Sequence, residues 1–244
     1  MSLSITFATA RRILSQLRHD PRTIMMLVAL PTLLMLLLRY VLNSERMFHH
    51  VAPAMLGVFP FVIMFLVTSI STLRERTMAT LERLMTMPTG KLDVLLGYAV
   101  AFGLIAIVQV LVAVGVCLTW LGLSITGPLW ALLLITVLDA ILGMALGLFV
   151  SAFARTEFQA IQFMPVFVIP QVLLCGLFVP RGSMATVLSW VSDVMPLSYA
   201  VDALNHVTTS SDIDGTTVRN LTVIGCCALL GLALGAATLR RRTP

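Results

Sequence analysis

Residues 73–91 read LRERTMATLERLMTMPTGK, a charged stretch between two long apolar runs. At about 100° per residue, the apolar side chains share one side of a helix: Met78, Leu81, Leu84 and Met85. The other side carries Glu82, Arg83 and Thr86. Pro88 and Gly90 then end the helix, because proline and glycine both disfavour its continuation. The pattern predicts a short amphipathic helix that rests on a helix bundle and offers charges to the cytosol. A solvated interfacial loop is the alternative.

The composition is that of an integral membrane protein. Of 244 residues, 59% are hydrophobic and 11% are charged, whereas a soluble domain carries about 25% charge. Residues 1–244 contain no stretch that resembles a separate soluble domain, a linker or a low-complexity tail. The sequence therefore predicts a single transmembrane domain. The net charge of +5 does not indicate a nucleic-acid partner, because the charges lie at the ends of the apolar runs, where membrane topology explains them.

Six apolar runs are long enough to cross a hydrocarbon core of about 30 Å, which needs roughly 20 helical residues. We place them at 24–42, 54–73, 93–121, 129–153, 159–179 and 220–239. The predicted fold is thus an all-α membrane protein with six transmembrane helices. With the N-terminus in the cytosol, twelve of the 16 basic residues lie on the cytosolic side. The positive-inside rule favours that orientation, which places both termini in the cytoplasm.

Two further segments are predicted to lie at the membrane surfaces. Residues 1–23 contain a helix, and its apolar stripe comprises Leu3, Phe7, Ala10, Leu14 and Leu17. The basic side chains lie off that stripe: Arg11, Arg12 and Arg18. Such a helix lies in the interface with its arginines toward lipid headgroups. Residues 180–218 follow the fifth span and hold two short amphipathic segments separated at Pro196. The first has one apolar stripe, which comprises Met184, Val187, Leu188, Val191 and Met195. Both segments are predicted to be outer helices that dip back into the membrane.

Asp139 lies near the middle of the fourth span, where an acid costs several kcal/mol unless it is paired, protonated or hydrated. It is either a proton relay or cargo contact, or a neutral packing group hydrogen-bonded to a neighbour such as Gln109. Packing is preferred, because proton-coupled transporters usually carry more than one such acid. In the same span, Gly143 and Gly147 form a small-xxx-small pair that permits close helix packing.

The fifth span contains an unusual number of polar and helix-breaking residues: Gln159, Gln162, Pro165, Pro170 and Gln171. Such breaks are tolerated where the backbone faces protein or a water-lined cavity. The span is therefore a candidate wall of a transport path, with a kinked packing helix as the alternative. The candidate path residues are Gln109, Asp139, Gln162 and Gln171.

The chain lacks the motifs of a nucleotide-binding or catalytic protein. Gly90-Lys91 has neither the upstream glycine nor the following Ser or Thr of a phosphate-binding G-x-x-x-x-G-K-[ST] loop. No G-x-S-x-G or H-E-x-x-H motif is present. We therefore expect no catalytic residue, no metal site and no cofactor in this chain.

Two regions resemble the permeases of ABC-2-type transporters. The first is Arg74-Glu75-Arg76-x-x-x-Thr80-Leu81-Glu82-x-Leu84 followed by Pro88, which is similar to the coupling-helix signature of that family. Thr77 and Ala79 depart from it, since an acid and a glycine are common there. The second region comprises Ser151, Arg155, Gln159-Ala160, Pro170, Gly176-x-Phe178-x-Pro180 and Pro196-x-x-Tyr199-x-x-Asp202-Ala203-Leu204. The daunorubicin-resistance-type and sodium-efflux-type permeases are the nearest in general appearance.

The resemblance implies the membrane subunit of an ABC exporter in the cell membrane. A separate ATPase subunit would hold ATP and Mg, and a second permease chain, identical or homologous, would complete the unit. The ATPase would dock on the coupling residues Glu75, Arg76, Thr80, Leu81, Glu82, Arg83 and Leu84. Alternating access would export a hydrophobic or amphipathic small molecule, a drug or a lipid, as in antibiotic resistance by efflux. An ion-coupled secondary transporter using Asp139 and a non-transporting membrane scaffold are the alternative functions.

Overall fold

The computed structural model describes residues 3–77 and 91–238, and every regular element in these two ranges is helical. The α-helices are α1 Leu3–Arg18, α2 Pro21–Leu42, α3 Glu45–Thr77, α4 Lys91–Thr119, α5 Leu129–Val150, α6 Glu157–Leu174, α7 Thr186–Val194, α8 Pro196–Thr209 and α9 Gly215–Thr238. A 3₁₀ turn covers Arg181–Ser183. Six of these helices, α2 to α6 and α9, are long and apolar enough to cross a membrane. The predicted all-α membrane fold is confirmed.

Several helix ends differ from the sequence prediction for local reasons. α3 begins at Glu45, nine residues before the predicted 54, and it stays helical through Pro53 and Pro60. α6 likewise continues through Pro165 and Pro170 but ends at Leu174, well before the predicted 179. Gly176 follows with a positive φ of 91°, a conformation that glycine adopts without strain.

The two ends of α2 and the start of α9 are set by polar caps. The Asp20 carboxylate accepts hydrogen bonds from the N–H and the hydroxyl of Thr23, and these bonds lower the pKa of Asp20. Asn43 ends α2 in the left-handed region, with φ of 44°. Asp214 accepts from the N–H of Thr217, so α9 starts at Gly215 rather than at the predicted 220. Such caps satisfy backbone groups that the helix leaves open.

The centre of the bundle is the contact between α3 and α5, the most extensive helix pair in the described residues. A Cβ atom at Gly143 would collide with the carbonyl oxygen of Phe61, and one at Gly147 with the carbonyl oxygen of Phe65. Both α5 positions thus admit only glycine at this helix separation. The small-xxx-small pair therefore brings the two backbones together.

The other helices pack around this pair. α2 contacts α3 and α4, α9 contacts α5 and α8, and α6 contacts α3 and α8. α3 is the most buried of the six long helices, whereas α2, α6 and α9 are the least buried. Their exposed apolar side chains are therefore available to lipid or to another chain.

The N-terminal helix α1 packs on α4, and its packed face overlaps the predicted stripe without coinciding with it. Ala10 and Leu17 of the stripe are buried together with Thr6, Thr9 and Ile13, while Phe7 of the stripe is 64% exposed. The difference arises at Gly97 of α4, where a Cβ atom would lie 2.6 Å from the Cβ of Thr9. The missing side chain lets the small threonine face approach more closely than the bulky Phe7 face would.

Residues 181–209 form two short helices that meet at Pro196, the first residue of α8. The apolar face of α8 is buried against the bundle, with Leu197, Val201 and Leu204 all inaccessible. The predicted stripe of α7 does not pack inward, because Val187, Leu188 and Val191 are exposed. Insertion of these helices into the membrane stays a prediction, as does the position of α1 in the interface.

We expect Gly143→Ala to destabilise the bundle by about 1–3 kcal/mol, since the added methyl group forces two packed backbones apart. The matched control is Gly115→Ala in α4, where an added Cβ meets nothing within 4 Å. There alanine should be neutral or stabilising by up to about 1 kcal/mol. Thermal unfolding of both variants in detergent measures the difference, and equal melting temperatures would contradict the close α3–α5 contact.

Candidate functional site

One polar network ties three helices together next to the segment 78–90. Arg12 of α1 donates from Nη2 to Oε2 of Glu75 at 2.8 Å, and the same nitrogen lies 3.4 Å from the hydroxyl of Tyr98 in α4. The Tyr98 hydroxyl also donates to Oε2 of Glu75. The side chains of Arg12 and Glu75 are 29% and 17% exposed, so the network is largely shielded from water. Burial acts to lower the pKa of Arg12, but the Glu75 carboxylate outweighs it and raises the pKa.

A second ion pair joins the same end of α3 to the start of α6. The guanidinium of Arg74 contacts both carboxylate oxygens of Glu157, at 3.0 and 3.3 Å. Both side chains are about half exposed, at 49% each, so the pair adds little to stability. Its two contacts nevertheless link the last turns of α3 to the start of α6. The last turns of α3 are therefore connected to α1, α4 and α6.

Among the predicted coupling residues, Glu75 lies in the described part of the chain, and its carboxylate contacts Arg12 and Tyr98 of the same chain. A role of Glu75 in docking an ATPase stays a prediction. The remaining predicted coupling positions, the side chain of Arg76 together with Thr80, Leu81, Glu82, Arg83 and Leu84, lie outside the residues that are described. Docking at those positions stays a prediction.

Asp139 is completely buried at the junction of α3, α5 and α8. A Cβ atom at Gly57 of α3 would lie 3.3 Å from its Oδ2 and 2.9 Å from Leu204 of α8, so the junction is tightly packed. Neither carboxylate oxygen has a hydrogen-bond partner in the described ranges, and neither does the amide of the equally buried Gln109. The hydrogen bond considered between Asp139 and Gln109 is therefore not formed.

The two glutamines of α6 lie in different surroundings. Gln162 is exposed, whereas Gln171 is 4% exposed and donates from Nε2 to the carbonyl oxygen of Phe167 at 2.9 Å. Its Oε1 atom is buried without a partner in the described residues. Three of the four candidate path residues are thus inside the bundle, and Gln162 is not. A common path through them stays a prediction.

Arg181, one of the four basic residues outside the predicted cytosolic side, is an interaction centre in the structure. Its Nη1 lies 2.6 Å from Oδ2 of Asp202 in α8, and its Nη2 contacts Asp193 at the end of α7. Its guanidinium carbon lies 5.2 Å from the ring centroid of Tyr199. Burial raises the pKa of Asp202, while Arg181 acts in the opposite direction. The signal in the sequence was the quoted Pro196-x-x-Tyr199-x-x-Asp202 motif, although nothing in it pointed to Arg181.

The chain belongs to the ABC-2 type transporter family, whose sequence profile matches residues 4–208. This range includes all the long helices except α9, together with the Glu75 network and the Arg181 centre. The resemblance inferred from the two sequence regions is confirmed.

Curated relatives are named as ABC transporter proteins. The probable multidrug ABC transporter permease YbhS of Escherichia coli is 24% identical over 206 residues, covering 84% of this chain and 55% of the relative. The permease YbhR of the same organism is 24% identical over 157 residues, covering 64% and 43%. ABC transporter G family member 20 of Dictyostelium discoideum is 25% identical over 164 residues, covering 67% and 22%. The chain thus matches about half or less of the length of these relatives.

Removal of the Asp139 carboxylate tests whether this buried group lacks a hydrogen-bond partner. Because the carboxylate has no partner in the described residues, we expect Asp139→Ala to leave the melting temperature unchanged or raise it. The matched control is Thr136→Ala in the same helix, where a buried hydroxyl donates to the carbonyl oxygen of Leu132 at 2.7 Å. That variant should lose about 1 kcal/mol.

A larger loss of stability in Asp139→Ala than in Thr136→Ala would contradict the unpartnered state of Asp139. If Asp139→Ala is as stable as expected, any loss of transport by this variant reports a functional role of Asp139, since misfolding does not explain it.

Proposed function

We propose that the chain is the membrane-spanning permease subunit of an ATP-driven exporter, with ATP and Mg bound by a separate ATPase subunit. Family membership supports the class. The single observation that carries the mechanism is the Glu75 network, which fixes the last turns of α3 to α1 and α4. The charged segment 78–90 leaves from α3 and returns at the first residue of α4. The end of α3 from which that segment leaves is therefore held against α1 and α4.

This arrangement transmits a push on the segment into the bundle. Closure of the ATPase dimer would press on residues 73–91 and displace the end of α3. Arg12 and Tyr98 would carry the displacement to α1 and α4, and Arg74 would carry it to α6 through Glu157. The tight α3–α5 contact at Gly143 and Gly147 would turn this local shift into a movement of whole helices. Alternation between inward-open and outward-open states follows from such rocking.

The orientation that we propose places the α1 end of the bundle in the cytosol. It rests on the distribution of basic residues, twelve of 16 on that side. Both termini are then cytoplasmic, α1 lies in the inner interface, and the Arg181 centre faces outward. In that orientation the segment 78–90 is accessible to a cytosolic ATPase.

We further propose that two permease chains, identical or homologous, work with two ATPase chains. The large exposed apolar surfaces of α2, α6 and α9 support a second copy or lipid beside these helices. The cargo would be a hydrophobic or amphipathic small molecule, a drug or a lipid. The names of the Escherichia coli relatives, multidrug permeases at 24% identity, support this cargo class.

One observation favours ion-coupled secondary transport as a second candidate function. Asp139 is an acid buried within a long apolar helix, and its carboxylate has no partner in the described ranges. Intramembrane acids of this kind often mark ion or proton pathways. Under this second function the protein would move its cargo without an ATPase.

Reversal of the charge at Glu82 distinguishes the ATP-driven exporter from the ion-coupled secondary transporter. If the charged side of the segment meets the ATPase, Glu82→Arg should weaken the complex by about 2–5 kcal/mol, because it leaves a partly desolvated charge opposite a like charge. Co-purification of the ATPase in detergent and cargo-stimulated ATP hydrolysis measure the effect, with a monodispersity check on the permease. The matched control is Glu45→Arg, the same substitution at an exposed side chain at the other end of the bundle.

The control should bind the ATPase like the unmodified chain. Equal recovery and equal hydrolysis with Glu82→Arg would contradict the exporter proposal.

A further inference from the structure

A polar cavity of about 560 Å³ lies at the end of the bundle opposite α1, beside the 3₁₀ turn and helices α7, α8 and α9. Its lining includes six polar side chains: Arg181, Ser189, Asp193, Tyr199, Asp202 and Arg219. The cavity is open to the surroundings, and the proposed coupling to an ATPase makes no use of it. It is thus a separate candidate for a binding site.

The charges in this cavity balance. Arg181 contacts both Asp193 and Asp202, yet these two carboxylate side chains remain 57% and 40% exposed. The fourth charge is Arg219 on α9, which is exposed and acts electrostatically on Asp202. Two guanidinium groups and two carboxylates leave no net charge. A ligand that carries a positive and a negative group together fits this pattern better than a simple anion or cation.

The surroundings of the cavity resemble a membrane interface. α7 contributes Ser189 and Asp193 to the lining, while its neighbouring residues Val187, Trp190 and Val194 are each at least 70% exposed. Exposed tryptophan and aliphatic side chains beside a polar site are typical of the level where headgroups meet acyl chains. A lipid can therefore place its headgroup in the cavity and its chains along α7.

We propose that this cavity binds the zwitterionic ammonium–phosphate headgroup of a membrane phospholipid. Arg219 binds the phosphate, because a guanidinium matches phosphate oxygens with two parallel hydrogen bonds. The exposed carboxylate of Asp193 binds the ammonium group. Arg181 holds Asp193 and Asp202 in place, so that the carboxylates are arranged before the lipid arrives. The lipid then becomes a structural partner of α7, α8 and α9.

Quenching of Trp190 tests the site directly. Trp120 and Trp130 are replaced by Phe, which leaves Trp190 as the single fluorophore among the three tryptophans. The full chain is reconstituted with acyl-brominated phosphatidylethanolamine or phosphatidylglycerol, and the ratio of quenching gives the relative affinity for the two headgroups. We expect the zwitterionic lipid to be preferred about fivefold, the size that a partly exposed ion pair contributes.

Three variants assign the preference to the cavity. Arg219→Gln should weaken quenching by both lipids, because both carry the phosphate that Arg219 binds. Asp193→Asn should shift the preference toward phosphatidylglycerol, because the site then carries a net positive charge. The matched control Arg46→Gln removes an exposed arginine at the same end of the bundle, outside the cavity lining, and should leave the ratio unchanged. Equal quenching of the unmodified site by both lipids, an Arg219→Gln variant quenched as strongly as the control, or an Asp193→Asn ratio equal to that of the control would overturn the proposal.

The ammonium–phosphate group could belong to a membrane lipid or to a water-soluble molecule, and soluble glycerophosphoethanolamine distinguishes these two sources. Since the chains rest on α7, this competitor should not reverse the quenching by bound lipid at millimolar concentration. Full displacement would overturn the membrane source and assign the cavity to a water-soluble zwitterion.

Discussion

The close approach of α5 to α3 is the contact on which the bundle depends. Gly143 and Gly147 leave no space between the α5 backbone and the carbonyl groups of Phe61 and Phe65. Within a membrane, such packing stabilises a helix pair through van der Waals contact, because burial of apolar surface contributes little there. α3 thereby becomes a central axis, and the remaining helices are arranged around it and α5.

Each end of the bundle carries a compact charge network. At one end, Glu75 joins α3 to Arg12 of α1 and Tyr98 of α4. At the other end, Arg181 joins the turn after α6 to Asp193 of α7 and Asp202 of α8. Charged side chains cost little free energy at the two ends of the bundle, where water and lipid headgroups are close. The first network lies where an ATPase subunit would act on the proposed permease. The second lines the cavity for which we propose a lipid headgroup.

The sequence predicts the long helices well because length and hydropathy are local properties. Their ends are less predictable, since α3 continues through Pro53 and α6 stops ahead of Gly176. The sequence shows the glycine pair of α5, but it does not show that α3 is the helix that packs on this pair, because that depends on how distant segments of the chain meet. Periodicity indicated Ala10 and Leu17 of α1 but not the burial of Thr6 and Thr9, because it is the absence of a side chain at Gly97 on another helix that lets these threonines pack closely. The partners of Glu75 and the role of Arg181 as an interaction centre could be found only from the three-dimensional arrangement. Ion pairs between residues 63 positions apart leave no periodic trace in a sequence.

The central claim is that Arg12 and Glu75 transmit force from the segment 78–90 to the rest of the bundle. A charge swap tests it most directly, with cargo-stimulated ATP hydrolysis measured for the permease purified with its ATPase. Arg12→Glu and Glu75→Arg alone should each uncouple hydrolysis from cargo, and the double variant should recover coupling through an interaction energy of up to about 3 kcal/mol. Single variants that stay fully coupled, or a double variant no better than the worse single one, would contradict the account.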